Sequence, residues 1–252
     1  MSARNFDLKE EIRAYWSARA ATFDAAPGHR IAPADAAAWR RLIEAGLGRL
    51  AGRHVLDLAC GTGEVSGVLL DAGARVTGLD FAEPMLARAR AKHAGRDWSP
   101  VLGDAERLAG LPAAGFDGAV TRHLAWTLTD PAAAYRAWLA ALKPGARLLV
   151  MDGDFAREGR RARWLRRLAR ALSAAPDQAD ETHRAILARL PYAGGLTAAR
   201  LAADLRQAGF VAIRRHRIAP IYLLGLHGST LAERLRLIAP DRFALSAARP
   251  DA

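Results

Sequence analysis

The stretch Val55-Leu-Asp-Leu-Ala-Cys-Gly-Thr-Gly63 places Gly61 and Gly63 where a short apolar run gives way to a helical pattern. Glycine lets a ligand approach the backbone closely and tolerates dihedrals that other residues avoid. The start of a following helix offers unpaired N–H groups to an anion or another acceptor. Asp80 stands at the end of the next apolar run, where a carboxylate can accept hydrogen bonds from both hydroxyls of a ribose. These features suit an adenosine cofactor. A nicotinamide dinucleotide also fits them, since Gly61-x-Gly63-x-x-Ser66 is close to the dinucleotide fingerprint. Two further acids tilt the choice. Asp57 lies inside the first run, where a buried carboxylate gains beside a cationic ligand such as an amino-acid sulfonium and repels a pyrophosphate. Asp104 ends the third run, within reach of an adenine amino group. No G-x-x-x-x-G-K-[ST] sequence occurs, which excludes a P-loop.

A second set of residues suits the acceptor side. His123 follows the run Phe116–Thr121, and its ordinary pKa near 6.5 fits a general base. Trp126 is placed to wall a substrate pocket, whereas Trp138 falls on a helix and reads as core. Tyr192 is a candidate pocket residue, and Tyr222 and His227 sit in a segment that helps shape the pocket. Cys60 reads as a small packed residue beside the cofactor, because no histidine is paired with it in sequence. His183, His216 and His227 are scattered, with no H-x-x-x-H or H-E-x-x-H spacing, so no metal is expected.

The elements that must hold these groups alternate. Residues 6–24 and 34–50 read as amphipathic helices that cap the fold, broken from each other by Pro27, Gly28 and Pro33. Strands are expected at 54–59, 75–80, 99–104, 116–121 and 147–152. Helices fall between them at 63–72, 83–93 and 131–142, the last closed by Lys143-Pro-Gly145. This spacing implies a Rossmann-like, doubly wound, seven-stranded and mostly parallel α/β sheet with helices on both faces. Two helices at 157–172 and 179–190 interrupt the rhythm, with Pro176 between them. They read as a lid inserted over the carboxyl edge of the sheet, with Trp164, Leu165, Leu168 and Leu172 on one face of the first. A Thr197-capped helix to Ala208, strands at 210–218 and 242–247, and a loop between those strands complete the pattern. The organisation is one domain: a cap over 1–50, a cofactor-binding core over 51–154, the lid over 155–195, and a closing segment over 196–252.

The 252 residues carry a formal net charge of +11. Nucleic acid or a membrane surface would be the natural partner of such a charge. The pattern argues otherwise, because only Lys9, Lys92 and Lys143 are lysines and the arginines are scattered through alanine-rich helices. The dense run Arg160, Arg161, Arg163, Arg166, Arg167 and Arg170 reads as a solvated face. No apolar run is long enough for a transmembrane helix, and no signal-peptide core is present. With one cysteine and no export signal, a reducing, cytoplasmic setting is expected, as a monomer or homodimer.

Five ordered segments now carry a resemblance. VLDLACGTG resembles the first motif of the class I S-adenosylmethionine-dependent methyltransferases of small-molecule type, VLDLGCGTG, with Ala59 for its first glycine. VTGLDFAEPMLARARAK, VLGDAERL, FDGAVTRHLAWTLTDP and LKPGARLLVMD resemble the four that follow, in order, and the match runs from about Tyr15 to Asp152. The resemblance implies S-adenosyl-L-methionine as cofactor and a small-molecule acceptor methylated by in-line displacement. Ala59, Gly61 and Gly63, with Cys60, would border the methionine part. Asp80 would hold the ribose, Phe81 and Met85 would flank the adenine, and Gly103, Asp104 and Ala105 would lie at its edge. Arg122 would approach the sulfonium. The segment Tyr15-Trp-Ser-Ala-Arg-Ala-Ala-Thr-Phe-Asp24 resembles a YWxxRAxxYD segment that folds over the cofactor, so Tyr15 and Arg19 would reach its carboxylate. Phe23 replaces a tyrosine there. Other outcomes on the same fold are reaction of the cofactor's aminobutyrate chain, methylation of RNA or protein, and cofactor sensing without catalysis. No NPPY tetrapeptide follows the fourth strand, which counts against amino-group methylation of macromolecules.

Overall fold

The computed structural model of the chain describes residues 3–157, 159–173, 181–224 and 229–251. Helices Ala3–Arg19 (α1) and Pro33–Leu47 (α2) come first. His54–Leu58 (β1), Glu64–Asp71 (α3), Arg75–Asp80 (β2), Glu83–Lys92 (α4) and Trp98–Leu102 (β3) form the first half of the core. Phe116–Arg122 (β4), Pro131–Ala141 (α5) and Leu142–Asp154 (β5) continue it. Arg160–Ala171 (α6), Glu181–Leu187 (α7), Ala198–Gln207 (α8), Val211–His216 (β6), Ala219–Leu224 (α9), Leu231–Ile238 (α10) and Asp241–Ala248 (β7) complete the chain.

The strands form one seven-stranded sheet in the order β3-β2-β1-β4-β5-β7-β6. All pairings are parallel except those of β7 with β5 and with β6. Central parallel strands are covered on both faces, so β1 and β4 are buried almost continuously rather than at alternate residues. Their side chains still alternate between two cores. Leu148 and Val150 of β5 join Tyr135 and Trp138 of α5 and Leu201 and Leu205 of α8. Leu149 and Met151 point the other way, toward Trp39, Ile43 and Leu47 of α2 and Val65 and Leu69 of α3. Strand order reverses between β1 and β4, which opens a crevice beyond their carboxyl ends, the usual ligand position in such sheets.

Four local readings change. The first helix ends at Arg19 rather than near residue 24, and a 3-10 turn over Phe23–Ala25 follows. The turn brings Asp24 to Thr62 Oγ1 at 2.5 Å and to Lys92 Nζ at 2.8 Å, tying the cap to the glycine turn and to α4. Lys143-Pro-Gly145 lies within β5, because Leu142 already pairs with Phe116 and the register shifts between Phe116 and Gly118 to absorb the proline. The segment between the last two strands holds α9 and α10 rather than only a loop. Thr230 and Glu233 form a reciprocal capping box at the start of α10, a T-x-x-E signal present in the sequence. On α6, only Leu165 of the expected face is buried, with Ala162 and Ala169 against Leu235 of α10. Trp164, Leu168 and Leu172 are exposed. Pro176 and His227 lie outside the described residues.

Candidate active site

The carboxyl ends of β1, β2, β4 and β5 meet the start of β7 and the N-terminal segment around a cavity of about 260 Å³. Its floor is the glycine turn. Cys60 N–H donates to the Leu79 carbonyl at 2.9 Å, and Gly63 N–H to the Cys60 carbonyl at 2.9 Å. The turn requires left-handed backbone at Ala59, Gly61 and Gly63, with φ of 53°, 56° and 83°. At Gly63 space is decisive as well, since a Cβ there would lie 2.6 Å from His93 Nε2. That nitrogen faces the Gly63 carbonyl at 2.8 Å and therefore carries the proton.

Two carboxylates flank the turn. Asp80 accepts from Gly61 N–H at 2.8 Å and Ala82 N–H at 2.9 Å. Burial raises its pKa to about 6 despite those donors. Asp57 accepts from Ser66 Oγ at 2.7 Å, and burial raises it to about 7, opposed by Ser66 and by Arg122. Burial also holds the Cys60 thiol protonated, which removes it as a nucleophile. A third buried carboxylate, Asp152, accepts from Ala125 N–H at 2.8 Å and Gly153 N–H at 2.8 Å, and fixes the turn that carries Trp126.

At the far side, Arg122 donates to the His29 carbonyl and lies over the Trp39 ring, 5.2 Å from its centroid. His123 faces Tyr222 Oη at 3.2 Å and Arg242 Nη1 at 3.3 Å through Nε2, and stacks on Phe155. Guanidinium only donates, so Nε2 is the acceptor and Nδ1 carries the hydrogen. Burial and then the two guanidiniums hold His123 well below the usual histidine range. His29 donates through Nδ1 to the Phe23 carbonyl at 3.0 Å and is lowered to about 4 by burial and by Arg122. Both rings are therefore neutral at physiological pH.

Of the residues expected at the site, Asp57, Ala59, Cys60, Gly61, Asp80, Phe81, Met85, Arg122, His123 and Trp126 line this cavity. Asp104 and Ala105 line a smaller adjoining one of about 40 Å³, which also touches Asp80 and Phe81. Asp104 is engaged there by Lys9 Nζ at 2.6 Å, and Lys9 also reaches Glu106 at 2.6 Å. Trp138 is fully buried core, as expected, and its indole donates to the Ala105 carbonyl at 2.7 Å.

Five residues sit elsewhere. Gly63 closes on His93, and Gly103 donates to the Asp80 carbonyl at 2.9 Å, so both shape the walls from behind. The Arg19 guanidinium lies 3.7 Å over the Tyr15 ring, and Tyr15 packs on Trp16 and His183. Trp16 takes the place on the cavity wall. Tyr192 is buried between Tyr135 Oη at 3.0 Å and Asp204 at 2.7 Å, because Pro191 turns it under α5 and α8 rather than toward the crevice.

The cavity also takes in His29, Phe155, His183 and Arg242, which the motifs did not single out. Phe155 directly follows the carboxyl end of β5, which is signal enough in this topology. Arg242 had none, since its approach depends on the antiparallel return of β7.

Residues 56–150 match the family described as a methyltransferase domain. Residues 56–150 thus form a methyltransferase domain on a doubly wound sheet. The chain is 38% identical over 101 residues to a ubiquinone biosynthesis O-methyltransferase of Idiomarina loihiensis, covering 39% of this chain and 42% of that one. It is 32% identical over 153 residues to a ubiquinone/menaquinone biosynthesis C-methyltransferase of Rubrivivax gelatinosus, covering 58% and 57%. The chain thus spans about half the length of the curated relatives it matches. An S-adenosylmethionine-dependent methyltransferase from Mesorhizobium loti superposes with a TM-score of 0.57 at 26% identity, over 86% of this chain and 99% of that one.

Proposed function

We propose that the protein transfers the methyl group of S-adenosylmethionine to a small-molecule acceptor held beside His123, Trp126 and Phe155. The carrying observation is that one cavity runs from Gly61 and Asp80 to those three residues. The residues fit the cofactor. Asp80 keeps acceptor capacity for ribose hydroxyls beside its two backbone donors. Gly61 leaves open backbone, with only Phe23 within 4 Å of where its Cβ would be. Asp57 is a buried acid that gains from a nearby cation. The relatives' quinone-pathway names support a small acceptor.

When bound, S-adenosylmethionine supplies an electrophilic methyl carbon. The chain's own work is to hold the acceptor in line and about 3 Å away, which supplies several kcal/mol of the barrier. Phe23, Trp16 and Trp126 wall the cavity with apolar surface and limit water. His123 lines the acceptor end as a neutral ring whose Nε2 is already taken up by Arg242, and burial with the two guanidiniums holds it too far below the usual histidine range to remove the acceptor's proton, so the chain works by positioning the acceptor. From the described part of the proposed lid, Phe155 and His183 reach the cavity.

The test is calorimetric titration with S-adenosylmethionine and S-adenosylhomocysteine, followed by product analysis. Wild type binds both, and Asp80→Asn weakens binding by about tenfold or more. Absence of wild-type binding contradicts the proposal. Methylthioadenosine formed without an acceptor would indicate reaction of the aminobutyrate chain instead.

A further inference from the structure

We infer that the β4–β7 end of the cavity is an oxyanion-binding subsite, which selects acceptors bearing a carboxylate or phenolate beside an aromatic ring. The inference rests on the methyltransferase reading and adds the acceptor's chemistry. Two buried donors line the cavity without a partner. Trp126 is 6% exposed, and its indole Nε1 makes no hydrogen bond. Arg122 Nη1 is buried and equally unmatched. An orphaned buried donor costs about 1–3 kcal/mol, so two among the residues of one cavity lining mark a place where a ligand supplies acceptors.

A second guanidinium faces the same space. Arg242 is held by the Leu237 carbonyl at 2.8 Å, by His123 Nε2 at 3.3 Å and by the faces of Tyr222 and Phe155; Asp152 lies in its field but accepts from Ala125 and Gly153, and no carboxylate forms an ion pair with Arg242 among the described residues. Arg122 likewise has only a carbonyl and the Trp39 ring as close partners. Asp57 and Glu64 lie in its field, but Asp57 is bonded to Ser66 and Glu64 to Ile31 N–H and Lys92. Positive charge without a partnered acid is costly to bury, and an anion relieves that cost. Burial and then the same guanidiniums keep His29 and His123 neutral, so the ligand meets two fixed cations and no charged histidine.

Topology separates this end from the cofactor's. Asp80 ends β2 and Arg242 opens the β7 strand, with β1, β4 and β5 between them. At about 4.8 Å per strand that is close to 19 Å across the sheet. The cofactor's carboxylate belongs at the β1 turn. The aromatic walls of Phe23, Trp126 and Phe155 favour a planar ring on the acceptor.

The probe is benzoate against benzamide, titrated into protein saturated with S-adenosylhomocysteine. Benzoate binds at least about tenfold tighter to the wild type. Trp126→Phe and Arg242→Met, checked for folding by their melting temperatures, each reduce that preference about fivefold or more. Arg242→Met leaves the S-adenosylhomocysteine affinity within about threefold. Equal binding of the two probes, or no benzoate binding, overturns the subsite. So does a large loss of S-adenosylhomocysteine affinity that decarboxylated S-adenosylhomocysteine does not share, since the donors would then serve the cofactor's own carboxylate. Failure of wild type to bind S-adenosylhomocysteine at all would instead strike the methyltransferase reading.

Discussion

Asp57 and Asp80 sit about a strand apart at the base of the cavity, and burial raises them to about 7 and about 6. A cationic ligand favours their charged forms, so its arrival lowers both pKa values and releases protons. Affinity for S-adenosylmethionine therefore rises as pH increases through 6 to 7, where the free protein still holds protons that the complex does not. Calorimetry should show binding about tenfold tighter at pH 8 than at pH 5.5, with heats that depend on the buffer. The uncharged sulfur of S-adenosylhomocysteine should give a smaller change. A flat pH profile would remove both acids from the site. At this scale the sequence was informative for residues near the carboxyl ends of the central strands: Asp57, Asp80, Arg122 and His123 all reach the cavity. It failed for Tyr15, Arg19 and Tyr192, whose directions depend on helix rotation and on the turn at Pro191 rather than on strand position.

The first helix is fastened from beneath. Lys9 bridges Asp104 and Glu106, and Glu106 also accepts from Thr129 N–H at 2.5 Å and Asp130 N–H at 3.2 Å. One lysine thus ties α1 to the loops after β3 and β4. Removing one partner of such a buried group leaves charge uncompensated, so Lys9→Met should destabilise by about 3 kcal/mol. Hydrogen exchange should rise first in residues 3–19, with the sheet protected as before. Uniform loss of protection would mean that α1 is part of the global core and no separable cap. Elements with strong periodicity or clear stops were legible: the core strands, α3 to α5 and the Thr197-capped α8 fall within a few residues of expectation. The segment between β6 and β7 was not, because its helices are short and one carries Pro220 near its start. Their stability comes from packing, α10 on α6 and Tyr222 on Trp39, which local pattern does not reveal.

In the whole molecule, the doubly wound, mostly parallel class was readable because alternating strands and helices leave few topologies; the strand order itself, with its reversal between β1 and β4, comes from the structure and places the crevice. The acceptor's end was not readable, since it is assembled from the loop at His29, the turn at Trp126, Phe155 and the start of β7, which are distant in sequence. The cofactor should stabilise the molecule as one unit, because the cavity it would fill is lined by the cap and by the ends of β1, β2 and β4 together. S-adenosylhomocysteine at about 100 times its Kd should add about 2.7 kcal/mol and raise Tm by about 5–10 °C. A shift that Asp80→Asn does not diminish would place the ligand elsewhere. The most direct measurement is a crystal structure with S-adenosylhomocysteine bound. The account predicts ribose hydroxyls on Asp80, adenine between Met85 and Ala105, and sulfur facing His123 and Trp126. A nucleoside bound outside this cavity, or a sulfur turned away from those two residues, would contradict it.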